Sequence, residues 1–129
     1  MTIFSKIING DIPCYRIAED DKFLAFLDVQ PLVLGHVLVV PKVQVDKLFN
    51  LADDYLNAIL AFAKPIAFAI EKTIPCKRCG LSVIGLEVPH AHMHLIPMNS
   101  ADDLNFTRKK MEITDADMRH VQQRIVENL

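Results

Sequence analysis

Glycine is scarce in this chain, with four among 129 residues against seven prolines. No low-complexity or linker composition accompanies them, which excludes a disordered or repetitive protein. Cysteine is sparser still. Three residues, an odd number, make no disulfide framework, so the expectation is a reduced, cytoplasmic protein. Neither sign of charge dominates: the formal net charge of −2 leaves no basic footprint for nucleic acid. Long apolar runs are missing too. None approaches the ~20 residues that span a bilayer, and the polar interruptions of "MTIFSKIINGD" do not suit a signal peptide. What is present is 51% apolar and 23% charged residues, enough to bury one core without metal or crosslinks. Residues 1–129 therefore read as one domain.

Local patterning orders the elements. Thr2 can N-cap a short helix with Ile3, Phe4, Ile7 and Ile8 on one side, closed by Gly10. "CYRIAED" and "KFLAFLD" read as a hairpin about a "DD" turn, and "HVLVVPK" as a buried central strand. The longest helical pattern runs from Asp53 to about Lys72, with two acids at its positive end. "PCKRCG" reads as a loop, and "LSVIGLEV" and "HAHMHLIP" as two more strands. Thr114 and Asp117 suit the start of a last helix reaching towards Asn128. The order β-β-β-α-β-β, flanked by helices, implies an α+β fold on an antiparallel sheet. Apolar residues cover roughly two-thirds of the long helix's circumference, more than one sheet contact needs, so a two-fold contact between copies is expected to cover the rest. Pro65 is expected to kink this helix and shift its phase.

Three of the five histidines fall within five positions, inside "PHAHMHLIP" at residues 89–97. Side chains alternate along a strand, so His90, His92 and His94 share a face while Ala91, Met93 and Leu95 turn to a core. Histidine serves near neutral pH as acid, base, nucleophile or ligand. Zinc fits poorly: His90 and His94 would lie roughly 13 Å apart and meet an ion only in a near-straight line. His92 and His94 could chelate, but no cysteine or acid spacing nearby completes a set. "CKRC" at residues 76–79 has no second pair and reads as two loop or core thiols. A row of imidazoles suits phosphorus chemistry better. A neutral imidazole can attack phosphorus while neighbouring N–H groups steady the oxygens, and His92, flanked on both sides, holds the nucleophile's position.

"HAHMHLI" resembles the His-φ-His-φ-His-φ-φ signature of the histidine triad (HIT) family, φ being apolar. "TIFSKIINGDIP", "EDDKFLAFLDVQP" and "HVLVVPK" resemble, in order and spacing, blocks of that family's small nucleotide-binding branch. The resemblance spans residues 2–97, and the tail from Met98 to Leu129 carries no such motif. It implies a HIT-like fold: an antiparallel sheet of about five strands with one long helix, a short N-terminal helix and a C-terminal helix. It also implies a hydrolase or nucleotidyl transferase acting at the α-phosphorus of nucleotide conjugates, of phosphoramidate or dinucleotide-polyphosphate type. A nucleotidyl-histidine would form and release a nucleoside monophosphate. By position, His92 is implied as nucleophile and His94 as donor to the phosphate oxygens. His90 would orient His92 through its backbone carbonyl, and His36 would support the triad. Asp28 would bind the ribose hydroxyls, and Ile3, Phe4, Ile7, Phe26 and Val29 would wall the base pocket. The implied partner is a purine nucleotide conjugate bound by a homodimer, with no cofactor, nucleic acid or membrane. The alternative is a non-catalytic purine-nucleotide-binding dimer acting in regulation or protein interaction.

The residue chemistry agrees with these roles. A carboxylate accepts both hydroxyls of a cis-diol, and apolar walls are the usual wrapping of a base. Some positions depart from the branch. Glu87 stands where a serine often helps the leaving group depart, and Leu86 where a glutamine is common. Protonated Glu87 could donate to a leaving group if the "VPH" turn resets the strand alternation; otherwise it is a solvated acid. Members with structural zinc carry cysteines where this chain has Thr2 and Ser5, so no metal is expected.

Overall fold

Strand-forming runs in the first third of the chain build an antiparallel meander in the computed structural model, which describes residues 1–129. This meander is β1 (Arg16–Glu19), β2 (Phe23–Leu27) and β3 (Val37–Pro41). With β4 (Arg78–Ser82) and β5 (Met93–Met98) it forms a five-stranded sheet ordered β1-β2-β3-β5-β4, every neighbour antiparallel. The helices are α1 (Ile3–Ile8), α2 (Asp53–Thr73) and α3 (Asp115–Glu127), as the α+β reading expects.

Period-two alternation sorts the side chains onto two faces. Phe23, Ala25 and Leu27 of β2, Val37 and Val39 of β3, and Met93 and Leu95 of β5 pack in one core with α2 and α3. Leu24, Phe26, Leu38 and Val40 take the opposite face, with Phe4 of α1. Burial of both faces explains why "FLAFL" and "VLVVP" are apolar throughout.

Helix α1 is set by its first residue. The Thr2 hydroxyl accepts the Ser5 N–H at 3.0 Å, and the Ser5 hydroxyl accepts the Thr2 N–H at 3.3 Å, a reciprocal capping box. Gly10 ends the helix at φ 84°, a conformation glycine adopts without Cβ strain. Helix α3 opens on Thr114, whose hydroxyl accepts the Asp117 N–H at 3.1 Å.

Three expectations are corrected. Helix α2 runs through Pro65 without losing phase: Ile59, Ala63, Ile66 and Ile70 keep one buried stripe across it. Pro65 is exposed, and so is Ala61, the residue whose carbonyl loses its partner to the proline ring, so water can serve it. Phe62 and Ala69 join the same core, whereas Leu60 and Phe68 stay exposed. The fourth strand also lies elsewhere than expected. Arg78, Cys79 and Gly80 of "PCKRCG" belong to β4, and of "LSVIGLEV" only Leu81 and Ser82 do. Paired on one side only, β4 is held by backbone bonds to β5 and needs little apolar alternation to mark it. Gly80 has a packing reason: a Cβ there would stand 2.1 Å from Met98 Sδ. Residues 83–92 are irregular, so His90 and His92 precede β5 and only His94 lies in it. No helix is long and apolar enough to cross a membrane.

Replacing the capping hydroxyl removes both the α1 cap and the hydrogen bond from Thr2 to His90 Nδ1. Thr2→Val is expected to lower unfolding stability by about 1–2 kcal/mol, with Thr2→Ser close to wild type. Urea denaturation checks this; equal stability of all three proteins would contradict it.

Candidate active site

Pairing of β3 with β5 at the sheet's centre sets Leu38 opposite His94. Asp28, just past β2, donates its N–H to the His36 carbonyl at 3.0 Å, so the acid and the fourth histidine arrive together. His36, His90, His92 and His94 are all buried, with exposures of 1%, 1%, 7% and 7%. Buried imidazoles need partners. No fully buried side-chain nitrogen or oxygen lacks one.

Those partners dictate the tautomers, because a carbonyl only accepts. The His90 carbonyl, 2.7 Å from His92 Nδ1, keeps the proton there and leaves the lone pair on His92 Nε2. His90 Nε2 donates to the Pro41 carbonyl at 2.8 Å, so its Nδ1 accepts from the Thr2 hydroxyl at 3.0 Å. The Leu32 N–H donates to His36 Nδ1 at 3.2 Å. His36 Nε2 must then carry a proton, which it donates to His94 Nδ1 at 2.9 Å. His94 is left with its proton on Nε2. An imidazole with a free lone pair thus stands beside one with a free N–H, ring centres 4.9 Å apart.

Burial makes these rings reluctant to take a second proton. Desolvation, with smaller contributions from neighbouring His94 and Lys110, pulls His36 down from 6.5 to about 3. Desolvation, then His92 and Lys110, pulls His94 to about 4. His92 and His90 are also lowered by burial, partly offset by the carbonyls they donate to. Near neutral pH the row is uncharged.

A cavity of about 510 Å³ opens over this row. It is lined by His36, His92, His94, Asp28, Phe26, Val29, Ile3, Phe4, Ile7 and Glu87, so every residue read from the sequence reaches it except His90. His90 stands behind and acts on His92 through its carbonyl. Phe4 meets the His92 ring edge-on at 4.9 Å and Phe26 at 5.8 Å, whereas Ile3 and Val29 are exposed. Asp28 Oδ1 accepts the Gln30 N–H at 2.9 Å. Its Oδ2 lies 3.7 Å from His36 Nε2, too far for a direct bond. Burial raises the Asp28 carboxyl above its ordinary value, opposed by the Gln30 bond and Lys110. Glu87 is exposed in the irregular segment, so no strand alternation governs it and no reset at Pro89 is needed.

The separation of His90 from His94 that disfavours zinc leaves another grouping open. Asp28, His36 and His94 hold ligand atoms within 4.8 Å of one another, a donor set that suits zinc. An ion there would have to displace the 2.9 Å His36–His94 hydrogen bond.

The tail supplies lining that the sequence reading did not include: Phe106, Thr107 and Lys110. Phe106 packs edge-on against His94 at 4.6 Å and His36 at 6.3 Å. An aromatic before a basic cluster, in "NFTRKK", is the one local mark of this segment.

The family model described as the HIT domain matches residues 9–101, well over half of the chain. The chain belongs to the HIT family. A HIT-like protein of Borreliella burgdorferi is 38% identical to it over 113 residues, covering 82% of this chain and 81% of that protein. An adenosine 5'-monophosphoramidase of Candida albicans is 39% identical over 105 residues, covering 74% of this chain and 68% of that one. Among solved structures, a Hit-like protein involved in cell-cycle regulation from Bartonella henselae superposes with a TM-score of 0.85 at 26% identity, covering 99% and 96% of the two chains. A hypothetical histidine triad nucleotide-binding protein from Sulfolobus tokodaii gives 0.85 at 28%, covering 97% and 89%. The five-stranded HIT fold is thus the observed fold.

Buried, neutral histidines are expected to make this HIT chain acid-sensitive. Folding depresses their proton affinity, so below the ordinary 6.5 the unfolded chain binds more protons and stability falls as pH drops towards about 4 and 3. The raised Asp28 carboxyl has the opposite sign and acts lower, in the carboxylate range. The urea midpoint is therefore expected to fall between about pH 7 and about pH 5, and to fall less in His36→Asn. Equal slopes in the two proteins would remove His36 from the account.

Proposed function

We propose that this chain is a nucleotide-binding hydrolase or nucleotidyl transferase that takes the α-phosphorus of a nucleotide conjugate onto His92. The observation that carries the reading is the tautomer pair in the cavity: an unprotonated Nε2 on His92 beside a protonated Nε2 on His94. In-line attack by His92 Nε2 forms a P–N bond as the bond from phosphorus to the leaving group breaks. The ring becomes cationic, and the His90 carbonyl on Nδ1 stabilises that charge. His94 Nε2–H steadies a non-bridging oxygen. Water then cleaves the nucleotidyl-histidine, giving a nucleoside monophosphate and free His92. Glu87, at the cavity, is assigned the leaving-group side, where the branch often has serine.

The remaining assignments follow the cavity. Asp28 is assigned the ribose hydroxyls, its Oδ2 having no direct bond at 3.7 Å from His36. Ile3, Phe4, Ile7, Phe26 and Val29 are assigned the purine. The phosphoramidase name of the Candida albicans relative supports phosphoramidates as a substrate class. A homodimer is part of the proposal: β4 is an open sheet edge, and Leu60 and Phe68 of α2 and Leu81 of β4 are exposed. The proposed location is the cytoplasm, where free thiols such as Cys14, Cys76 and Cys79 stay reduced.

Rapid quenching with a nucleoside phosphoramidate, read by mass spectrometry, tests the chemistry. Wild type is expected to gain one nucleotidyl mass and His92→Ala none, with the variant's AMP affinity within about tenfold. His94→Ala is expected to slow turnover on the order of 10²-fold. Nucleotide binding without a mass gain would favour the non-catalytic dimer instead. Light scattering at micromolar concentration is expected to return twice the chain mass, and a monomer mass would contradict the proposed pairing.

A further inference from the structure

An uncharged imidazole row is a poor host for an anion by itself. The other titratable groups that line the cavity and can bring charge are two carboxylates, Asp28 and Glu87, and one ammonium, Lys110. A phosphate adds about −1.5 to −2 of charge near neutral pH. Without Lys110 the cavity would present carboxylates and no cation to that anion.

Lys110 is held in place. Its Nζ donates to the Phe106 carbonyl at 2.7 Å and the Arg108 carbonyl at 3.4 Å, which leaves one of its three N–H groups free. Nζ stands 5.9 Å from the centre of the Phe106 ring, and the same ring rests on His94 at 4.6 Å. The Phe106 ring thus adjoins both the ammonium and His94. The Lys110 charge acts on Asp28, His36 and His94, and no such effect is resolved at His92. The segment carrying it is tied across the loop between Asp28 and His36. Arg108 donates to the Leu32 carbonyl at 2.8 Å and to Asp102 and Asp103, and the Met111 N–H donates to the Pro31 carbonyl at 2.8 Å.

We propose that Lys110 is a phosphate-binding residue of this site, its ammonium pairing with a non-bridging oxygen of the phosphoryl group that His94 holds. It rests on the nucleotide reading above. Lys110 supplies the fixed cation, and the C-terminal segment is part of the site that reads the phosphate. The neighbouring Lys109 is exposed and outside the cavity lining, so it serves as the control.

Calorimetric titration of the full chain with AMP and with adenosine tests this, because only AMP carries the anion. Lys110→Met and Lys110→Gln are each expected to lose about tenfold or more in AMP affinity, with less than about twofold for adenosine. Gln keeps an N–H for the two carbonyls, so it separates lost charge from lost anchoring. Lys110→Arg is expected to retain most of the AMP preference, and Lys109→Met all of it. Equal losses for AMP and adenosine would make Lys110 a strap anchor and overturn the proposal, as would no loss for either. A wild type that binds neither compound would instead overturn the nucleotide reading, and this inference with it.

Discussion

The 2.9 Å hydrogen bond from His36 Nε2 to His94 Nδ1 is sealed from water between β3 and β5, and the rest of the site depends on its direction. That direction is set from behind, where the Leu32 N–H occupies His36 Nδ1 and leaves His36 only one way to donate. A proton moved to the other nitrogen would leave two buried lone pairs facing each other, at a cost comparable to a lost buried hydrogen bond. Burial makes the bond both strong and demanding. The same desolvation that pulls His36 to about 3 and His94 to about 4 keeps the pair neutral, so each ring has one proton and one assigned use. The second half of the row follows the same rule: the His90 carbonyl leaves His92 Nε2 bare, and the Pro41 carbonyl holds the His90 proton on Nε2.

The sheet explains how such a polar row is tolerated. One face carries the core shared with α2 and α3, so the stability of the fold does not rest on the histidine face. The other face is closed at one end by α1 and roofed at the other by Phe106. Thr2 links these layers: its hydroxyl caps α1 and serves His90, so the helix start and the triad share an atom. Thr2 and Ser5 occupy positions where metal-binding relatives are expected to carry cysteine. Here the pair closes a capping box that orders the same stretch of backbone with hydrogen bonds alone.

The tail folds back over a cavity lined by neutral imidazoles and carboxylates. The strap between Asn105 and Met111 brings an aromatic cover for His94 and a lysine whose ammonium is otherwise satisfied by carbonyls. Its anchors, Arg108 on the Leu32 carbonyl and Met111 on that of Pro31, grip the same loop whose Leu32 N–H sets the His36 tautomer. Cover, cation and proton placement are thus mechanically joined through one short loop.

Much of this was determined by the sequence itself, wherever the governing contacts are local. Period-two alternation was enough to turn His94 away from Met93 and Leu95, and the Thr2 cap and Gly10 stop of α1 rest on residues within one or two turns. The family resemblance then brought Asp28, His36 and the apolar walls to the cavity they line. Local pattern was weaker at β4, where a one-sided edge strand asks little of its side chains, and at Pro65, where the buried stripe keeps its phase. Only the tertiary structure decided which nitrogen of each imidazole holds the proton, that Asp28 and His36 meet His94 as a possible donor set, and that Phe106 and Lys110 stand over the row. Each of these joins residues distant in the chain, such as Thr2 with His90 or His36 with His94. No local periodicity encodes such a meeting, because it exists only once packing has removed the water that would otherwise satisfy every partner equally well.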